Sequence, residues 1–191
     1  MPHTVARSDR IAVEIEEGLA DVRLSRPEKM NAIDPEMFKA LIEAGESLVS
    51  RSDVRVVVLS GQGRAFCAGI DMKRFSNGPD DGPKAVPRPL APRTHGIANE
   101  PQMAVLVWQK LPMPVIAAVH GVAFGAGFQL SLGADIRFLA AETRLSVMEV
   151  EWGLVPDMAG TALMSQLARG DVVRELCYTG RVFSAEEAVE K

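Results

Sequence analysis

The chain has 191 residues, 47% of them hydrophobic and 24% charged, a balance that excludes extended disorder and predicts one globular domain over 1–191. Its 25 acidic residues outnumber 21 Lys and Arg, for a net charge of −4, which argues against a nucleic-acid surface. Cys67 and Cys177, its two cysteines, are too few for a disulfide framework and point to a reducing, cytoplasmic setting.

Met1 to Arg10 carries Arg7, Asp9 and Arg10 with no apolar run behind them, so it reads as a tail and not as a secretory signal. Ile11 to Glu16 alternates apolar and acidic residues, and Glu17-Gly18 turns the chain into a second strand, Ala20 to Leu24. Asp34-Pro35 predicts a helix start, with an oxygen at the N-cap and proline at the first helical position. Met37, Phe38, Leu41, Ile42, Leu48 and Val49 then form its apolar face. Val54 to Leu59 is β-branched, interrupted by Arg55, and predicts a strand covered on both sides.

Ser76 to Pro101 holds six prolines and three glycines and predicts a long irregular loop, followed by a helix from Gln102 to Leu111. Pro114 to Ala134 lacks any Asp, Glu, Lys or Arg over nearly the length of a membrane span. His120, Gln129, Ser131 and the glycines at 121, 125, 127 and 133 break that run. It is expected to be a buried strand, Val115 to Val119, then a turn and a helix from Ala126 to Leu132, with no membrane role. Asp157 can cap a helix running to Arg169, ended by Gly170. Arg169-Gly170-Asp171 is punctuation between helices. Ser184-Ala185-Glu186-Glu187 is a capping box only a few residues before Lys191, which suggests that C-terminal helical sequence is missing. The recurring strand, helix and strand predict α/β layering.

Two segments share one design, an apolar strand leading through small residues and glycine into an expected helix. One is Val56 to Gly61, leading to Phe66-Cys67-Ala68-Gly69-Ile70-Asp71. The other is Val115 to His120, leading to Gly121 through Gln129. Such turns can serve close strand–helix packing. Alternatively, their free N–H groups and the helix dipole can stabilise a developing oxyanion. Gly61-Gln62-Gly63 lacks the third glycine of a dinucleotide fingerprint, since Phe66 stands there, and there is no Walker lysine pattern. His3, His95 and His120 show no metal-ligand spacing. Cys67 has no identifiable base beside it. Trp108 and Trp152 are expected in a core or interface, and Phe66, Phe124 and Phe128 in the core or along an acyl pocket.

Together these segments resemble the crotonase (enoyl-CoA hydratase/isomerase) superfamily. The similar pieces are Arg26-Pro27-Glu28-Lys29-Met30-Asn31-Ala32, Ala65 to Lys73, Pro114 to Gly121, Gly125-Ala126-Gly127, Ala134-Asp135-Ile136 and Glu149 to Thr161, in the family's order. The resemblance implies an α/β spiral of ββα repeats, assembled as a homotrimer or dimer of trimers and acting on acyl-CoA thioesters. No cofactor is implied, since coenzyme A is part of the substrate. It places the oxyanion donors at the backbone N–H groups of Ile70 and Ala126. Ala68, Asp71, Met72 and Lys73 fall along the CoA channel, and Lys29 on another CoA-contacting segment.

Hydratases of the family use two glutamates to position a water and supply its proton. Glu149 matches the second, but Gln129 stands at the first, where it is expected to contact the substrate and can hydrogen-bond a water but cannot exchange a proton at neutral pH. Asp157 matches a position where acids occur in dienoyl-CoA isomerases, so it is either a second acid or a helix cap. With Glu149 as the principal acid/base, the resemblance implies hydration or double-bond isomerisation of an unsaturated acyl-CoA. A non-catalytic acyl-CoA-binding protein is the alternative that Gln129 raises.

Overall fold

The computed structural model describes residues 3–71 and 92–190. Its larger sheet has six strands in the order β1 (His3–Arg7), β2 (Ile11–Glu16), β3 (Leu19–Leu24), β4 (Val56–Gly61), β5 (Val115–Val119) and β7 (Ile136–Leu139). The first three form an antiparallel meander, and β3, β4, β5 and β7 run parallel. A smaller sheet sets β6 (Val122–Phe124) parallel to β8 (Arg144–Ser146), with β9 (Phe183–Ser184) antiparallel to β8. Two parallel bridges, Ile33 with Ile70 and Cys67 with Ala123, extend the smaller layer to earlier parts of the chain. Each turn of the chain therefore adds one strand to the large sheet and a short extended segment to the small layer. This is the ββα spiral expected.

The alternation in β2 and β3 buries Val13, Val22 and Leu24 completely, as a one-sided strand requires. β4 begins two residues later than expected and is covered fully on one face only. Val57 and Leu59 are buried, while Val56 and Val58 are half-buried. The stretch read as a tail instead supplies β1, which pairs with β2 across a register shift between Thr4 and Ala6. The loop expected through Pro101 ends earlier, because Asn99 caps α2 (Glu100–Leu106) in a reciprocal capping box with Gln102. Proline is tolerated in that first turn because its N–H would have no partner there anyway. The helix then tightens to a 3₁₀ turn at Trp108–Lys110. Trp108 is buried, its Nε1–H donating to the Ala104 carbonyl at 3.0 Å.

Asp34 caps α1 (Pro35–Leu48) by accepting the Met37 N–H at 2.9 Å. Met37, Leu41 and Leu48 pack into the core, and Val49 lies past the helix end, exposed. The same carboxylate meets Arg10 at 2.8 Å and Arg26 at 3.4 Å. Burial alone would raise the Asp34 carboxyl. The Arg10 bond, the Met37 N–H and the charge of Arg26 override it and hold the group below its ordinary value. A depressed carboxylate contributes stability above its unfolded value, and the contribution is lost as pH falls through the folded one. Asp34→Ala removes the cap and the carboxylate partner of Arg10, while Arg26 keeps Asp71, so it is expected to cost about 1–2 kcal/mol at pH 7. Urea unfolding should show that deficit shrinking as the pH is lowered.

The C-terminal half departs from expectation at two caps. α4 runs Gly160–Leu167 behind Ala159, which has a left-handed backbone and no side-chain cap, so Asp157 is not the cap of that helix. Gly170 does not end α4 but begins α5 (Gly170–Thr179). Ser184 does cap α6 (Ala185–Glu190), its Oγ accepting the Glu187 N–H at 3.1 Å. The Glu187 carboxylate is bound by Arg181 instead. Among the described residues, no helix is long and apolar enough to cross a membrane.

Candidate active site

Segments far apart in sequence are laced side by side around Asn31. Its buried side-chain amide donates to the carbonyls of Gln62, Ala65 and Phe66 at 2.8–3.1 Å. The Ala68 N–H donates to Met30 O at 2.9 Å, so the turn bearing Lys29 lies against the turn bearing Ala68, Gly69 and Ile70. Lys29 ends a short 3₁₀ turn, Pro27–Lys29, and is half-buried. Met72 and Lys73 lie outside the described residues.

Ile33 donates to Gly69 O at 2.7 Å and accepts from Asp71 N–H at 2.9 Å. In a parallel bridge of this kind the intervening residue, Ile70, turns its own N–H away from the ladder. On the other side, Cys67 N–H donates to Val122 O, and Phe124 N–H donates to Cys67 O, both at 3.1 Å. These bonds carry the Gly69–Ile70 turn onto the start of α3 (Ala126–Leu132). A Cβ at Gly69 would fall 3.8 Å from Ala126 N and 2.9 Å from Phe124 O. As the first residue of its helix, Ala126 has an N–H with no intrahelical partner. The two turns singled out by their common design thus meet.

Asp71 has another role than contact along a CoA channel alone would give it. Its carboxylate receives Arg26 Nη2 at 2.8 Å, both side chains being largely covered. Arg26 also donates to Ala32 O at 2.9 Å, so the pair braces the turn carrying Ile70 against the segment carrying Lys29. Cys67 packs behind this turn, with Sγ against Asn31 O at 3.1 Å. Burial pushes its thiol up to about 12, so it is not a nucleophile at neutral pH. His120 Nε2 donates to Gly63 O at 2.9 Å and closes the neighbouring turn. Phe66 and Phe128 are buried and Phe124 half-buried. Trp152 is 56% exposed, which excludes it from the core.

The carboxylates gather beside α3. Glu149, on the 3₁₀ turn Met148–Trp152, is buried. Its Oε1 would lie 3.3 Å from a Cβ at Gly125, the residue before Ala126, which sets the acid beside the start of α3. Gln129 Nε2 donates to Glu149 Oε1 at 2.6 Å, and Gly160 N–H donates to Gln129 Oε1 at 3.0 Å. Gln129 is itself buried, so it sits behind Glu149 and away from open solvent. Burial raises the Glu149 carboxyl, and the charge of Asp157 adds to the rise against the lowering by Gln129. Burial likewise raises Asp157. Asp157 is half-buried, and its backbone carbonyl is held by Gln102 Nε2 at 3.2 Å.

Glu149, Asp157, Gln129, Ala126 and Ile70 therefore converge, with Ala68 and Lys29 on the adjoining turns. Three contributors stand in the family-like segments without a role that the sequence alone gives them. Gly160 was not distinguishable from a loop glycine, and Arg26 is 45 residues from Asp71. Asn31 gave a faint signal, as a polar residue between the apolar Met30 and Ala32.

Comparison with known proteins bears on this arrangement. The description Enoyl-CoA hydratase/isomerase matches residues 14–191. A mitochondrial Delta(3,5)-Delta(2,4)-dienoyl-CoA isomerase of Rattus norvegicus is 34% identical over 171 residues, covering 88% of this chain and 52% of that protein. A 1,2-epoxyphenylacetyl-CoA isomerase of Escherichia coli is 35% identical over 185 residues, covering 94% and 66%. The chain thus spans about half to two thirds of these relatives' length. A Thermobifida fusca protein solved with acetoacetyl-CoA superimposes with a TM-score of 0.80 at 34% identity, covering 95% of this chain and 70% of that one. An enoyl-CoA hydratase from Bacillus anthracis gives 0.81 at 29% identity, covering 95% and 67%. The chain belongs to the enoyl-CoA hydratase/isomerase family, and its spiral is the crotonase fold.

Proposed function

We propose that the protein isomerises the double bond of an unsaturated acyl-CoA, with Glu149 as its acid/base and the N–H groups of Ile70 and Ala126 as an oxyanion hole. The observation that carries this reading is the bond from Gln129 Nε2 to Glu149 Oε1 at 2.6 Å. It sets an amide, which cannot exchange a proton, against Glu149 at the position where a water-adding pair would have its other glutamate. On this reading the thioester carbonyl sits between the two turns that Gly69 and Phe124 bring together. Glu149 takes a proton from the carbon next to the carbonyl. The C–H electron pair passes into a dienolate whose oxygen charge the two N–H groups stabilise. The same proton returns to a carbon two positions further along, Glu149 is again ionised, and the bond has moved with no net gain or loss of atoms.

Lys29, Ala68 and Asp71 are assigned to the CoA end of the substrate on the strength of their adjoining turns, Asp71 through its bond to Arg26. A homotrimer or dimer of trimers is proposed from the family membership, and a reducing compartment from the two free cysteines.

A second reading has its own observation. Asp157 is raised by burial and close enough for its charge to raise Glu149, so the two acids can divide a longer proton shift, as on a 3,5-dienoyl-CoA. Mass spectrometry and ultraviolet absorbance with 2-enoyl-, 3-enoyl- and 3,5-dienoyl-CoA separate the readings. The expected result is a bond shift on 3-enoyl-CoA without a mass change. Conversion of the dienoyl substrate that depends on Asp157 selects the second reading. Addition of water to 2-enoyl-CoA as the main reaction overturns both, and tight binding of every substrate without turnover identifies a non-catalytic acyl-CoA-binding protein.

A further inference from the structure

Glu149 presents two chemically different oxygens. Oε1 is held by Gln129, whereas Oε2 is buried and has no hydrogen-bond partner among the described residues. The amide that holds Oε1 is itself fixed. A backbone N–H can only donate, so Gly160 N–H requires the carbonyl oxygen of Gln129, and the amide nitrogen must then face Glu149. There is little freedom in this chain of contacts. Gln129 is 1% exposed, and a Cβ at Gly160 would fall 2.4 Å from Gln129 Oε1 and 2.8 Å from its Cδ.

We infer that Gln129 is a positioning residue, anchored by Gly160 N–H, that holds Glu149 so that Oε2 alone takes and returns the proton. The inference rests on the isomerase reading and deepens it. Glutamine at this position is then not simply a lost acid. It donates to the ionised form of Glu149 and so favours the proton-accepting state, opposing the burial and the charge of Asp157 that disfavour it. A carboxylate free at both oxygens could rotate and present either one. Tied at Oε1, it leaves the same oxygen, Oε2, without a hydrogen-bond partner through both proton transfers, and small displacements of a reacting group cost heavily in rate. Among the described residues, the other titratable groups facing Glu149 are Asp157, before α4, and Cys177 on α5, whose thiol is raised by burial and then by the charge of Glu149. Both stay in place when Gln129 is changed.

The test is the pH dependence of kcat/KM on 3-enoyl-CoA for the full chain and two variants. Gln129→Met keeps length and removes both the donor and the acceptor. We expect kcat to fall on the order of tenfold to a hundredfold, KM to change little, and the acid limb to move to higher pH. Gln129→Glu keeps an acceptor for Gly160 N–H and sets a second carboxyl against Glu149. The two then share a proton, so the acid limb should move up and broaden. This variant decides the matter if Gln129→Met does not fold. An acid limb unmoved in every folded variant overturns the inference, because a merely structural glutamine would lower activity without shifting it. Full activity in Glu149→Gln overturns the isomerase reading itself, whatever the Gln129 variants show.

Discussion

Replacing Glu149 with glutamine is expected to lower turnover of unsaturated acyl-CoA by about 10²–10⁴-fold. The change keeps the shape of the side chain, and its amide carbonyl can still accept from Gln129, but the group no longer exchanges a proton. Substrate binding should persist, because the assigned thioester donors are the main-chain groups of Ile70 and Ala126. In the parent protein, activity should fall on the acid side with a limb above the ordinary glutamate value of 4.5, since burial raises this carboxyl.

Stability should follow the same residue with a definite sign. A carboxyl raised by folding contributes stability that is present in full below its unfolded value and is lost as pH rises through the folded one. Glu149→Gln does not titrate, so its melting temperature relative to the parent should climb as pH rises through that window. Parallel melting curves at several pH values check this. A constant difference would mean that folding does not shift the carboxyl.

Gly69→Ala is expected to damage the site from the opposite side. Gly69 has a φ of +98°, a conformation that residues with a Cβ adopt only under strain, at a cost of about 1–3 kcal/mol. The new methyl would also fall 2.9 Å from Phe124 O, too close for either backbone to stay where it is. Relief must move the Ile70 turn, the start of α3, or both, and those are the two assigned oxyanion donors. Losing the alignment of one such donor costs about 10²–10³-fold in rate. Urea unfolding and kcat, measured together on 3-enoyl-CoA, should both fall. A variant that is destabilised but fully active would place the oxyanion donors elsewhere.

Local physics made much of this protein legible before folding was considered. The alternation of Ile11 to Glu16, the Asp34-Pro35 cap and the glycine-rich passage from Val119 into Ala126 each satisfy a requirement within a few residues. Accordingly β2, the start of α1, β5 and α3 stand where the residues alone place them. The family motifs also singled out Glu149, Gln129, Ile70 and Ala126 by position. Tertiary structure decided what those residues do to one another. Asp157 reads equally as cap or acid until the backbone at Ala159 leaves it no helix to cap. Gln129 reads as the absence of an acid until Gly160 N–H, 31 residues away, orients its amide toward Glu149. Asp71 is tied through Arg26 to a turn 45 residues earlier. Hydrogen bonds and buried charges between distant segments have no periodicity to betray them, because their partners are set by how the turns of the spiral stack.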